Sequence, residues 1–365
     1  MVQPGKRALT LLFVPILLIS GLRASAQDQD WAQLSADAGA AHKRGDFTDS
    51  AALYKRALSI EVKLLGPANP QVAASANNLA VLYQDESLYA QAEPLYKQAL
   101  AIWETTPGAD AQVASSLNNL AALYRDEHKD AEAEPLYNRA LKILDRTGRS
   151  ESPEATTTLA SLGDIYHSQG KDAQAEPLYG HALAVWKKTG KLERPEATST
   201  LIKLGDIYSE EEKYGEAMFL YQDALAIWEN AGQQESADAV ATMNHLAQIY
   251  RSLGKYTEAE PLLSKVLAIQ EKTLGPDHLD VAASVSNLAL LYNCEGKYPE
   301  AGPLYLRAIK IREKNLGPQD PDVLQTLEIY AALLRQEGRK DEARKVEDRT
   351  EKIKADSTQE AAPRS

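Results

Sequence analysis

The feature that most constrains this chain is a period. Residues 53–58, 95–100 and 136–141 read Leu-Tyr-Lys-Arg-Ala-Leu, Leu-Tyr-Lys-Gln-Ala-Leu and Leu-Tyr-Asn-Arg-Ala-Leu, and Leu178-Tyr179, Leu220-Tyr221, Leu262-Leu263 and Leu304-Tyr305 continue the series. The step is 42 residues, with one step of 41. A second block of the form Asn-Leu-Ala-x-Leu-Tyr lies upstream of each, at Asn78 to Tyr83, Asn119 to Tyr124 and Asn287 to Tyr292. Ser161 to Tyr166, Lys203 to Tyr208 and His245 to Tyr250 are its variants. A chain repeating at this interval folds as a stack of like units, each burying its apolar face against its neighbours.

Within the upstream block, Leu117, Leu120, Ala121 and Tyr124 stand at relative positions 4, 7, 8 and 11, one face of an α-helix. In the second segment Ala133, Tyr137 and Ala140 fall at 20, 24 and 27. Small residues at 8, 20 and 27 let helices approach, and large ones at 7, 11 and 24 fill the space between them. Breakers such as Gly170-Lys171, Gly254-Lys255 and Gly296-Lys297 suit a tight helix-to-helix turn. Each unit is therefore predicted to be a helical hairpin. Pro94, Pro135, Pro177, Pro261 and Pro303 are predicted to open the second helices, where a missing N–H costs nothing.

Fixed large and small residues in this order form the tetratricopeptide pattern. Leu-Asn-Asn-Leu-Ala at 117–121, Glu-Ala-Glu-Pro-Leu-Tyr at 132–137 and Leu-Gly-Pro-Asp-His at 274–278 resemble the repeats of the kinesin light chain type, here in a bacterial exported form. The resemblance runs from about Trp31 to Lys354, in seven clear units and a degenerate eighth. It implies an all-α, right-handed tetratricopeptide solenoid of about eight hairpins that binds other proteins. The linkers after the second to fifth units, such as Thr106-Pro107-Gly108, lack Leu-Gly-Pro, so their geometry is expected to differ. Asp37 and Ala41 replace the usual Leu and Tyr in the first unit, and Glu347 and Thr350 break the pattern in the last. Both ends are expected to act as caps.

Lys6 and Arg7 precede the apolar run Ala8–Ile19, and Ala24, Ser25 and Ala26 are small, so residues 1–26 are expected to be a signal peptide. The run contains Pro15 and is shorter than the roughly 20 residues needed to span a bilayer. The array is assigned to 27–354, and 355–365, which lack periodicity, to a disordered tail. The expected location is periplasmic or secreted. Removing Lys6, Arg7 and Arg23 takes the formal charge from −12 to −15. Such acidity disfavours nucleic acid and anionic membranes as partners. With one cysteine, Cys294, no internal disulfide forms; it is expected to be a half-buried packing residue.

No phosphate loop, Gly-x-Ser-x-Gly elbow or His-Glu-x-x-His is present, so no enzymatic activity, cofactor or metal is expected. The six histidines stand at unequal repeat positions. The recurring tyrosines Tyr83, Tyr124, Tyr166, Tyr208, Tyr250 and Tyr292 lie on the packing face, which assigns them to holding hairpins together. Packing does not need positions 5, 6, 9 and 12 of the first helix, and in tetratricopeptide folds this stripe lines the concave groove. It carries Asn77, Asn78, Asn118, Asn119, Lys203, Asn244, His245 and Asn287, with Arg125, Arg251 and Arg335 at position 12. Asparagine both donates and accepts, which suits the backbone of an extended peptide; the alternative is that these amides bond within the array. The arginines suit a carboxylate-bearing partner, whereas Asp164 and Asp206 at position 9 would divide the groove into zones of opposite sign. A scaffold or adaptor binding a partner peptide or helix is the leading expectation, and a self-associating structural protein the second.

Overall fold

A computed structural model describes residues 26–360, which form sixteen helices and no strand. The fold is an all-α solenoid of helical hairpins. It divides into two units, residues 1–192 and 193–365. Unit 1 holds α1 (Ala26–Arg44), α2 (Phe47–Leu65), α3 (Pro70–Asp85), α4 (Tyr89–Thr105), α5 (Asp110–Asp126), α6 (Asp130–Arg146), α7 (Pro153–Ser168) and α8 (Asp172–Lys188). Unit 2 holds α9 (Pro195–Glu210), α10 (Tyr214–Asn230), α11 (Ala237–Ser252), α12 (Tyr256–Leu274), α13 (Leu279–Glu295), α14 (Tyr298–Leu316), α15 (Pro321–Gln336) and α16 (Lys340–Glu360). The expected signal peptide lies outside the described residues but for Ala26, which opens α1. At the other end α16 runs to Glu360, past the predicted end of the array, because nothing between Ala355 and Glu360 breaks a helix.

Each hairpin turns through one residue in the left-handed region. Five turns place glycine there, as Gly254 does at φ 70°, whereas Ser87, His128 and Glu212 hold φ of 59–60°. First helices start on caps: the Asn69 side chain accepts from Gln71 N, Ser152 from Ala155 N and Ser236 from Ala239 N. Pro70, Pro153, Pro195 and Pro321 fill the opening positions. The start-marking prolines are therefore mostly those of the first helices, with Pro299 near the start of α14 an exception. Pro94, Pro135, Pro177, Pro261 and Pro303 lie inside the second helices instead, correcting the sequence expectation. All five are exposed, so water can reach the backbone carbonyl each leaves without a donor.

The core of each unit follows the large–small rule. Ala92, Ala99, Ala133, Ala140, Ala175 and Ala182 are fully buried in unit 1, and Tyr96 and Tyr179 fill the spaces between them. Rings at position 11 pack as the sequence indicates and send their hydroxyls to the preceding hairpin: Tyr124, Tyr166 and Tyr292 donate to Glu93, Glu134 and Glu260 at 2.9, 3.0 and 2.8 Å. A further seam is not visible as a motif. Each first helix from α3 to α15 buries a Ser or Thr at position 3, as at Ser75, Thr158 and Ser284. Ser75 Oγ donates to Glu61 Oε1 at 2.8 Å and Ser284 Oγ to Gln270 Oε1 at 2.5 Å. Where the facing position in the second helix is Trp186 or Trp228, with no acceptor to offer, the hydroxyl bonds its own helix, as Thr200 and Thr242 do to the Glu196 and Asp238 carbonyls.

Linkers divide into the two kinds expected. Gly66, Gly275 and Gly317 of the Leu-Gly-Pro linkers have ψ of 156–160° and end helices of 19 residues. The second helices without that linker, α4, α6, α8 and α10, have 17 residues.

Candidate interaction face

Packing leaves one stripe of each first helix outside the core, so its side chains decide what each unit can hold. In unit 1, Asn77 and Asn119 are buried, and Asn119 Nδ2 donates to Asn77 Oδ1 at 3.0 Å. These two amides tie α3 to α5, which for this pair favours the alternative of bonding within the array. The reason is spacing: the bonded residues are 42 apart while the local repeat step is 41, so position 5 of α3 faces position 6 of α5. Their neighbours Asn78 and Asn118 are half-buried, and the Oδ1 atom of each meets no hydrogen-bond donor. Each of these oxygens is itself shielded from solvent, so it is the remaining part of each half-buried side chain that faces outward.

Arg125 is not available to a partner's carboxylate. Its Nη2 lies 3.1 Å from Asp164 Oδ2, and Asp164 Oδ1 accepts from the Tyr179 hydroxyl at 2.8 Å. The expected zones of opposite sign thus cancel against each other here. Burial, then the Asp164 carboxylate, holds the Tyr179 hydroxyl far above the usual phenol range. The ring lies where a side chain on Gly163 would stand: a Cβ there would meet Tyr179 Cε1 at 2.7 Å.

Unit 2 repeats the device with a different third member. A Cβ on Gly205 would meet Tyr221 Cε1 at 2.8 Å, and the Tyr221 hydroxyl donates to Asp206 Oδ1 at 2.5 Å. His245 Nδ1 lies 3.0 Å from the same oxygen, with its ring edge-on to Tyr221. The Asp206 hydrogen bond raises the His245 pKa against the opposing effect of burial. Asn244 is half-buried, and its Oδ1 meets no donor. Arg251 and Asn287 are half-buried on the stripe, whereas Arg335 is exposed and grips Glu347 through two bonds of 2.6 Å. Arg335 belongs to the C-terminal cap. Cys294 is exposed, not half-buried as expected, because it follows position 12 and leaves the packing face.

Lys203 lines a cleft of about 440 Å³ between α9, α10 and the start of α11, with Trp228 on its wall. Neither the cleft nor the Gly-Asp-Tyr devices are marked by a motif. The signal available was the pair Leu-Gly-Asp-Ile-Tyr at 162–166 and 204–208, where Gly and Asp depart together from the Ala of other units. Among the described residues no group of three or more His, Cys, Asp or Glu is placed to hold a metal ion, and no helix is long and apolar enough to cross a membrane.

The tetratricopeptide repeat family matches at 38–105, 71–146, 112–188, 153–230, 238–294 and 280–356. The chain belongs to that family, whose repeats mediate protein–protein interaction. Solved structures agree in fold. BtubC of P. vanneervenii is 24% identical over 69% of this chain and 93% of its own, with a TM-score of 0.50. The nearly identical repeats of a Podosopora anserina kinesin light chain candidate are 30% identical over 55% of this chain and 94% of theirs, with a TM-score of 0.47. A STAND protein with a tetratricopeptide sensor from Pyrococcus horikoshii is 15% identical over 89% of this chain and 47% of its own, with a TM-score of 0.58. No curated protein matches the chain.

Proposed function

We propose that this protein is an exported scaffold or adaptor that holds a peptide segment or helix of a partner protein on the first-helix stripe. The observation that carries the reading is the division of the asparagines. Asn77 and Asn119 bond each other inside the array, while Asn78, Asn118 and Asn244 are half-buried on the stripe, with part of each side chain open to a partner. An extended peptide offers an N–H and a C=O at each residue, and a side-chain amide can meet either. Export to the periplasm or cell exterior rests on the sequence of residues 1–26.

The test is capture of partners from a periplasmic extract by the chain 27–365, beside a variant carrying Asn78→Ala, Asn118→Ala and Asn244→Ala whose helicity matches the parent. A partner held by the parent and lost by the variant supports the reading. Equal retention by both places binding elsewhere and refutes it.

A further inference from the structure

The cleft in unit 2 has a chemistry of its own. Part of its wall is apolar, from Ile202 of α9 and from Ile227 and Trp228 of α10. Carboxylates stand around them: Asp206 at one side, with Glu193 and Asp238 exposed where α9 and α11 begin. Lys203 is the one cation among the lining residues, so three negative charges face one positive. Asp206 is held in place from behind, by the Tyr221 hydroxyl at 2.5 Å and by His245 at 3.0 Å. A carboxylate fixed in this way loses little freedom on meeting a cation.

From these features we infer that the cleft receives an arginine side chain of the partner. This deepens the adaptor reading and rests on it. A flat guanidinium stacks on an indole face, its three-carbon stem covers isoleucine, and its fork matches a carboxylate. The chain offers its own precedent in unit 1, where Asp164 is built by the same glycine and tyrosine device and takes the guanidinium of Arg125 at 3.1 Å. An anionic side chain fits poorly against three carboxylates, and an apolar one would leave those at the mouth without a counter-charge.

The experiment follows the tryptophan indole N–H signals of the chain 27–365 by nuclear magnetic resonance, with the Trp228 signal assigned by Trp228→Phe. The probes are three octapeptides of glycine and serine bearing two central arginines, two glutamates or two alanines. The arginine peptide is expected to move the Trp228 signal in a saturable way while the others do not. Glu193→Gln with Asp238→Asn should weaken binding about tenfold, and Asp206→Asn should weaken it further. Lys203→Met should tighten it severalfold, because it removes the competing cation. The rim pair lies outside the helical core, so it keeps the test valid should Asp206→Asn unfold the hairpin. No response to the arginine peptide at saturating concentration, a response to the glutamate peptide instead, or loss of binding in Lys203→Met would each overturn the inference. Failure here with partner capture still dependent on Asn78, Asn118 and Asn244 refutes the arginine site alone. A responsive cleft with capture indifferent to those asparagines refutes the asparagine reading alone.

Discussion

Replacing Glu61 by glutamine should make the protein more stable at neutral and alkaline pH and leave it unchanged in acid. Glu61 is fully buried where α2 meets α3, and one of its oxygens, Oε2, has no partner. Burial pushes its carboxyl up to about 7, against the opposing hydrogen bonds of Ser75 and Gln71, from an ordinary value of 4.5. The folded value lies above the unfolded one, so the penalty is absent below about pH 4.5, where both states are protonated. It grows as the unfolded chain ionises and levels off above about pH 7, once the folded carboxyl ionises too. A separation of about 2.5 pH units corresponds to about 3 kcal/mol. Glutamine keeps the shape and the acceptor for Ser75 and does not titrate. The fit is already present in the chain, because Gln270 accepts from Ser284 in the corresponding place. Urea unfolding followed by circular dichroism at about pH 4 and about pH 8 measures the difference. The Gln variant should gain about 3 kcal/mol at the higher pH and match the parent within about 0.5 kcal/mol at the lower. An equal gap at both values would show that Glu61 does not fold in its neutral form, and the argument would fail.

Three further outcomes follow from the geometry. Glu212→Gly should stabilise the turn between α9 and α10 by about 1 kcal/mol, since φ 59° strains a side chain, and Gly254→Ala should cost about the same; thermal melts decide both. Gly163→Ala should destabilise unit 1 by about 2 kcal/mol in urea unfolding, because its Cβ would stand 2.7 Å from the Tyr179 ring and push the hydroxyl off Asp164. Asn77→Ala should cost about 1–2 kcal/mol by stripping Asn119 of its acceptor, whereas Asn78→Ala should leave stability within about 0.5 kcal/mol, which melting of the two single variants will separate.

Periodicity made the fold legible because a stack of like hairpins writes its packing rule into the chain once per turn of the array. Ala133, Tyr137 and Ala140 recur in kind, and the structure buries every one of them. The same periodicity misled wherever a residue's role depends on its place along the helix rather than its recurrence. Pro135 recurs in five units and Tyr137 in six, yet Pro135 sits inside α6 and marks no boundary. Asn77 and Asn78 are adjacent and identical, and a single missing residue in one repeat step decides which of them turns inward to Asn119.

Under the proposed function, what binds a partner is, by the same logic, what the repeat does not require. Position 8 needs only a small residue, and Ala121 or Ala247 meets that need. Gly163 and Gly205 go further and surrender even the methyl group, which lets a tyrosine ring settle against the helix and fix Asp164 or Asp206 beside it. Unit 1 answers its carboxylate with Arg125, a residue of its own. In unit 2 the same construction lines a cleft beside Trp228. A repeat array holds its shape through positions that agree across hairpins, so it can change two or three of the others without losing the fold. On the proposed function, recognition would lie in those departures, and the paired substitution of Ala by Gly and of an apolar or amide residue by Asp is the departure whose geometry is most fully built.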